Sequence, residues 1–234
     1  MNQILVTEKL YVTPELKRKK KIYKIEFFIS ILLICLLSSY YIYAEYDRNK
    51  SEEVSQVLLS EVQQDNTTKT STENDAIIIV LSEEESDEAE VDTNQIMNDV
   101  TIGGVTYSTE SIITIPEIGI TYPVLSETSD RLLEVSVNKY WGPEPNEVGN
   151  YCIVGHNYRN GKMFGKLNEL ENGDIIELQD MTGRTIEYKV YNKYVVEPTD
   201  TSCTSQLTNG RKELTLITCT NYGTQRLVVK CTEV

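Results

Sequence analysis

The stretch Glu213-Leu214-Thr215-Leu216-Ile217-Thr218-Cys219 reads as a β-strand, and Arg226-Leu227-Val228-Val229 opens another after the loop Thr220–Gln225. Alternation with a period of two puts Leu214, Leu216 and Thr218 on one face of the first strand and Thr215, Ile217 and Cys219 on the other. The loop is short enough to close a hairpin, so Cys219 and Arg226 come to the same end of one sheet. A guanidinium near a sulfur favours the thiolate and can pair with a carbonyl oxygen that turns negative during acyl transfer.

Working outward, the same texture runs back to about Gly104. Ile, Val, Thr and Tyr recur in short runs punctuated by Gly, Pro, Asn and Asp, the pattern of an all-β sandwich or barrel. Further strands are expected at Ile112–Ile115, Thr121–Leu125, Tyr151–His156, Asp174–Gln179 and Thr185–Val196, with a turn at Thr182-Gly183. Short helices are expected at Arg131–Val137 and at Phe164–Leu170, the latter ended by Asn172-Gly173. Residues 104–234 form one domain of mainly β structure.

His156 is the only histidine. It ends the apolar strand Tyr151-Cys152-Ile153-Val154-Gly155 and opens the loop Asn157-Tyr158-Arg159-Asn160-Gly161, where a rigid scaffold presents functional groups. A lone histidine at a strand end is more often a structural hydrogen-bonder, and a free cysteine is more often a small buried hydrophobe. Cys219, His156 and Arg226 together nonetheless supply a nucleophile, a proton carrier and an oxyanion donor.

The N-terminal part has a different composition. Phe27 to Ala44 is an uncharged run of eighteen residues. As a helix it covers roughly 27 Å, close to the thickness of a bilayer core. Lys17-Arg18-Lys19-Lys20-Lys21 and Lys24 precede it, and Tyr40, Tyr41 and Tyr43 lie at its far end. This predicts a basic cytoplasmic tail over 1–24 and a transmembrane signal anchor over 25–45, with the rest outside. A cleaved signal peptide is the competing reading, disfavoured by the long apolar run and the absence of an A-x-A-like site. Residues 45–104 carry three Lys/Arg against sixteen Asp/Glu, and an acidic extracellular stalk that stays extended is expected over 46–103. The run Ala76-Ile77-Ile78-Ile79-Val80-Leu81 interrupts it as a sticky patch.

A net charge of −14 argues against a nucleic-acid partner. The cysteines (Cys35, Cys152, Cys203, Cys219, Cys231) lack the spacing of a disulfide scaffold, and one histidine supplies a zinc site poorly. A Cys203–Cys231 or Cys152–Cys231 bridge stays open. Glu144 and Glu147 read as solvated charge in preference to calcium ligands, so calcium is possible but unsupported.

At these residues the chain resembles the sortase family. Thr215-Leu216-Ile217-Thr218-Cys219 is similar to the family's TLxTC motif, and Arg226 falls where its arginine is expected. YCIVGHN at Tyr151–Asn157 is similar to the strand that delivers its histidine, and Ile115-Pro116-Glu117-Ile118-Gly119-Ile120 to its opening strands. The resemblance implies an eight-stranded sortase-type β-barrel and a catalytic domain at 104–234. It implies a cysteine transpeptidase of Gram-positive cell walls that cleaves an LPxTG-like sorting signal between Thr and Gly. The acyl group would then pass to an amine of a cell-wall precursor. Cys219, His156 and Arg226 would be catalytic, with Thr218, Ile217 and Asn157 contacting substrate and no cofactor or metal required. The short segment Glu197–Lys212 and the absence of an Asp-Pro-aromatic lid favour a class D-like or class A-like enzyme over classes B and C. Two other readings remain: a non-catalytic β-domain for surface binding or sensing, and a purely hydrolytic cysteine peptidase.

Overall fold

A computed structural model describes residues 14–72 and 97–234, and the chain divides into two units between Asn49 and Lys50. Helix α1, Pro14–Thr72, contributes to both. In the first unit its apolar side chains, Phe27, Leu32 and Leu37 among them, are exposed along a stretch long enough to cross a bilayer. A helix satisfies its own backbone groups, so this segment fits a single-pass membrane anchor.

The second unit is built from nine strands: β1 (Asn98–Ile102), β2 (Val105–Ile115), β3 (Ile120–Leu125), β4 (Val137–Trp141), β5 (Gly149–Val154), β6 (Ile175–Asp180), β7 (Thr185–Val196), β8 (Lys212–Thr220) and β9 (Gln225–Glu233). They pair in the order β1-β2-β3-β4-β5-β8-β9-β7-β6, and β6 returns to β2. Eight strands therefore close a barrel, and β1 extends it as a hairpin on β2. Two pairings are parallel, β3 with β4 and β5 with β8; the rest are antiparallel. Closure leaves no free edge in the ring.

Period-two alternation then decides what is inside. Leu214 and Leu216 of β8 join Ile113, Ile115, Tyr151, Ile153 and Val229 in the barrel core, while Ile217 packs outside with Cys203 and Val228. The face assignment read from the β8 sequence holds.

Several expected boundaries move. Helix α2 is Asp130–Val135, capped by the Ser129 hydroxyl, which accepts from the Leu132 N–H. It stops before Val137 because Ser136 is extended and Val137 pairs with Val124, starting a strand that the sequence reading lacks. The helix expected at Phe164–Leu170 contracts to one 3₁₀ turn, Leu167–Glu169, because Leu170 already has extended backbone.

The expected stalk differs most. From Lys50 the chain belongs to the second unit, and α1 continues to Thr72. Val54, Leu58 and Val62 recur at helical spacing; Leu58 packs with Tyr107, Leu125 and Val135, and Val62 with Ile112 and Met181. Acidic composition averaged over the whole segment conceals this local apolar stripe. The domain accordingly begins well before Gly104. The run Ala76–Leu81 lies outside the described residues.

One buried carboxyl ties strands together: Glu110 of β2 accepts from the Tyr151 hydroxyl and from Lys139 Nζ at 3.2 Å. Burial outweighs both partners and raises its pKa from 4.5 to about 6.

Two outcomes follow. Leu58→Ala should destabilise the second unit by about 2–5 kcal/mol in urea unfolding, as expected for a large core truncation, whereas Glu61→Ala on the exposed side should stay within about 0.5 kcal/mol. An unaltered midpoint in Leu58→Ala would mean the helix is not part of the fold. The Glu110 proton is held more tightly in the folded chain than in the unfolded one. Its contribution to stability is present below pH 4.5 and is lost as pH rises through about 6. Glu110→Gln should flatten that stretch of the stability–pH curve, a change of about 2 kcal/mol.

Candidate active site

Strands β5 and β8 run parallel, with Val154 opposite Ile217 as their last ladder pair. The seam continues past that pair: the Gly155 N–H donates to the Ile217 carbonyl at 3.1 Å, and the Thr218 hydroxyl donates to the Gly155 carbonyl at 2.7 Å. Asn157 Nδ2 then donates to the Cys219 carbonyl at 2.7 Å. His156 and Cys219 each lie two residues beyond the last pair, so parallel register brings them level. On the other side, β8 and β9 pair Cys219 directly with Arg226. Three strands thus deliver the three residues to one end of the barrel.

All three line a groove of about 380 Å³. One wall is the start of α2 (Asp130, Leu133) with Tyr140 of β4; the other is the β7–β8 loop, including Pro198, Asp200 and Cys203. Ile217 and Cys203 give the groove apolar lining, backed by the buried Val228 that packs against them.

The histidine loop is held tightly. The Phe164 N–H donates to the His156 carbonyl at 3.0 Å, and Asn157 and Met163 form a β-bridge. Gly165 permits this return: a Cβ there would lie 2.1 Å from the Tyr158 carbonyl oxygen, well inside contact distance. The Tyr158 ring sits 5.2 Å from the imidazole, tilted by 47°. Burial lowers the His156 pKa, and the nearby carboxylates of Glu134 and Asp130 only partly offset it. The neutral imidazole is therefore favoured at neutral pH, the form that can accept a proton.

Arg226 is half-buried and donates through Nη1 to the carbonyls of Gly223 and Gln225 at 3.0 and 3.1 Å. Those contacts fix the arm of the guanidinium; among the described residues it forms no ion pair.

The β7–β8 wall is pinned from beneath. Asn150 Nδ2 donates to the carbonyls of Cys203 (2.9 Å) and Ser205 (3.1 Å), and Gln206 exchanges two hydrogen bonds with the Asn150 backbone. Lys230 Nζ reaches the Cys203 carbonyl, Thr215 Oγ1 and Glu213 Oε2. Asn150, Thr215 and Lys230 are buried. Sequence reading missed this set, as it missed Asp130, Glu134 and Tyr140. The helix expected at Arg131–Val137 already covers Glu134, and a serine cap at Ser129 is the further signal that places its start at Asp130.

Of the residues expected to meet substrate, Ile217 lines the groove. Thr218 lines it too, but its hydroxyl is committed to Gly155. Asn157 is exposed and holds the Cys219 carbonyl. The cysteines are all free, so neither disulfide considered above forms. Glu144 pairs with Lys139 at 3.3 Å and Glu147 with Arg184 at 2.9 Å.

Residues 113–234 match the family model described as Sortase domain. Among solved structures the chain is similar to Sortase A from Corynebacterium diphtheriae, at 28% identity and TM-score 0.51, over 55% of this chain and 61% of that one. It is similar to the pilus-related Sortase C of Group B Streptococcus, at 26% identity and TM-score 0.50, over 54% and 67%. It also matches sortase C-1 from Actinomyces oris at 30% identity and TM-score 0.49, over 53% and 73%. No curated protein sequence matches the chain.

Thiol reactivity tests the site directly. Burial pushes the Cys152 thiol up to about 12 and raises Cys203 and Cys231 as well, which depletes their thiolates. In the barrel unit, iodoacetamide at pH 7.5 should label half-exposed Cys219 first, and Cys219→Ser should remove the fast phase in peptide-resolved mass spectrometry. Labelling of Cys203 ahead of Cys219 would contradict the geometry.

Proposed function

The chain belongs to the sortase family, and on that footing we propose that it is a membrane-anchored transpeptidase acting on LPxTG-like sorting signals. The observation that carries this reading is the register itself: Arg226 opposite Cys219 on β9, with His156 level across the parallel seam.

In this mechanism His156, neutral at rest, takes the Cys219 thiol proton, and the resulting thiolate attacks the Thr–Gly carbonyl, forming a C–S bond. The carbonyl electron pair moves onto oxygen, where the Arg226 guanidinium stabilises it. When the tetrahedral intermediate collapses, the C–N bond breaks and His156, as imidazolium, gives its proton to the departing Gly amine. The product is a thioester. His156, now neutral, takes a proton from an incoming amine of a cell-wall precursor as it attacks the thioester; the C–S bond breaks, and the departing thiolate recovers that proton from the imidazolium, restoring the resting pair. Ile217 contributes apolar floor for the peptide, and Thr218 and Asn157 hold the two strand ends that carry the reacting groups.

The basic residues before the apolar run support a cytoplasmic N-terminus and an extracellular barrel. The β7–β8 connection contains one 3₁₀ turn, Ser202–Thr204, which supports a class D-like or class A-like enzyme.

A fluorogenic LPxTG-type peptide tests the assignment. Wild-type protein should cleave it and Cys219→Ala should not; turnover surviving in Cys219→Ala would overturn the mechanism. Arg226→Ala should lower kcat/KM by on the order of 10²–10³-fold, as loss of an oxyanion donor does. Arg226→Lys should restore little, since an ammonium lacks the planar fork. Added amine should yield ligated product. Free acid alone would indicate a hydrolase, and no turnover on any sorting peptide would indicate a binding module.

A further inference from the structure

The α1 segment from Lys50 onward does more than cover apolar surface. Glu52 accepts hydrogen bonds from the Tyr122 hydroxyl at 2.9 and 3.0 Å, one to each carboxylate oxygen. A hydroxyl has one proton to give, and here it goes to the carboxylate; its lone pair accepts from the Met163 N–H at 3.1 Å. The chain runs in one direction, amide to hydroxyl to carboxylate, and a charged acceptor at its end strengthens each link.

Met163 is the residue that needs this partner. It is buried, and its φ of +48° lies in the left-handed region that an unbranched non-glycine residue enters only under constraint. It pairs with Asn157, and its neighbour Phe164 donates to the His156 carbonyl. Losing the Tyr122 acceptor would leave a buried N–H unpaired at the most strained point of the loop that begins at His156.

A second contact of the same helix converges on that histidine. Ser55 meets Ser136 at 3.4 Å, the residue that ends α2, and α2 carries Asp130 and Glu134 beside the imidazole. Neither contact touches the groove.

We infer that Glu52 is a positioning residue for His156, acting through the Tyr122 hydroxyl and the Met163 amide. The segment of α1 around it is then part of the apparatus that sets the imidazole in place. The inference rests on the transpeptidase reading only in treating His156 as the acid/base.

The single histidine makes the test clean, because histidine labelled with ¹³C at Cε1 gives one resonance in the full chain. Groups facing it are Asp130 and Glu134 on α2, Tyr158 in its own loop, and Cys219 and Arg226 lining the same groove. Glu52→Ala should shift the His156 resonance and move its titration upward, toward ordinary imidazole, as the loop loosens and burial declines. It should lower kcat on the order of tenfold with little change in KM, within the range that a small misplacement of a catalytic group produces. Glu52→Gln keeps an acceptor for Tyr122 and should restore both readouts; Tyr122→Phe should reproduce the loss. Glu53→Ala, next door and exposed, serves as the control and should change neither.

A folded Glu52→Ala protein whose His156 resonance, titration and kcat match wild type would overturn the inference. So would a loss in Glu52→Ala that Glu52→Gln shares in full. If wild type turns over no sorting peptide, the functional reading fails, while the resonance still decides whether Glu52 positions His156.

Discussion

The parallel pairing of β5 with β8 is the constraint from which the groove follows. Val154 opposite Ile217 sets His156 level with Cys219, and the antiparallel β8–β9 pairing adds Arg226. Parallel neighbours cannot be joined by a tight turn, so the chain must leave β5, build other structure and come back to the start of β8. Here it builds the β6–β7 hairpin. Because Val196 pairs with Arg226, β7 ends at the site end of the barrel, whereas β8 begins at the opposite end. The β7–β8 connection therefore travels the length of the barrel along its outer face. That path makes it a groove wall, and its last residue, Arg211, closes onto Gly149 with a 3.1 Å hydrogen bond.

Such a loop carries backbone polar groups over a surface that also holds Ile217 and Val228, so its carbonyls need partners. Asn150 and Lys230 provide them, Thr215 on the strand between donates to Asn150 and accepts from Lys230, and Glu213 balances the ammonium. Burying an ammonium and a carboxylate is expensive even when they pair, and replacing such a pair by apolar side chains is often neutral for stability. What the network supplies is direction. Asn150 and Lys230 both converge on the Cys203 carbonyl, which sets Cys203 against Ile217 at the groove with Val228 buried behind them.

This division also explains what could be read from sequence. β8 was legible because its alternation is strict and its burial two-sided in character, Leu214 and Leu216 inward and Ile217 outward. The meeting of Cys219, His156 and Arg226 at one barrel end was legible because each sits where an apolar strand meets a polar loop. β4 was not, since Val137-Asn138-Lys139-Tyr140-Trp141 has little alternating character and is defined by its neighbours on either side. The packing of α1 was hidden by acidic residues on its exposed face, and only the spacing of Val54, Leu58 and Val62 betrays the buried one. The polar network is beyond any local reading: Asn150, Thr215 and Lys230 meet only once the barrel closes.

The surroundings of His156 suit the proposed role, in which one ring both gives and takes a proton. At rest, burial outweighs the two α2 carboxylates and the imidazole is held neutral. Once a proton arrives, the balance of roles changes. Asp130 and Glu134, which oppose the shift at rest, become counter-charges for the imidazolium at the moment it has to persist. A site buried without those carboxylates would make a poor acid, and one rich in carboxylates without burial would hold its proton too long. The proposed two-step transfer asks the same ring to donate to one amine and accept from another. Opposing influences of this kind keep it available for both.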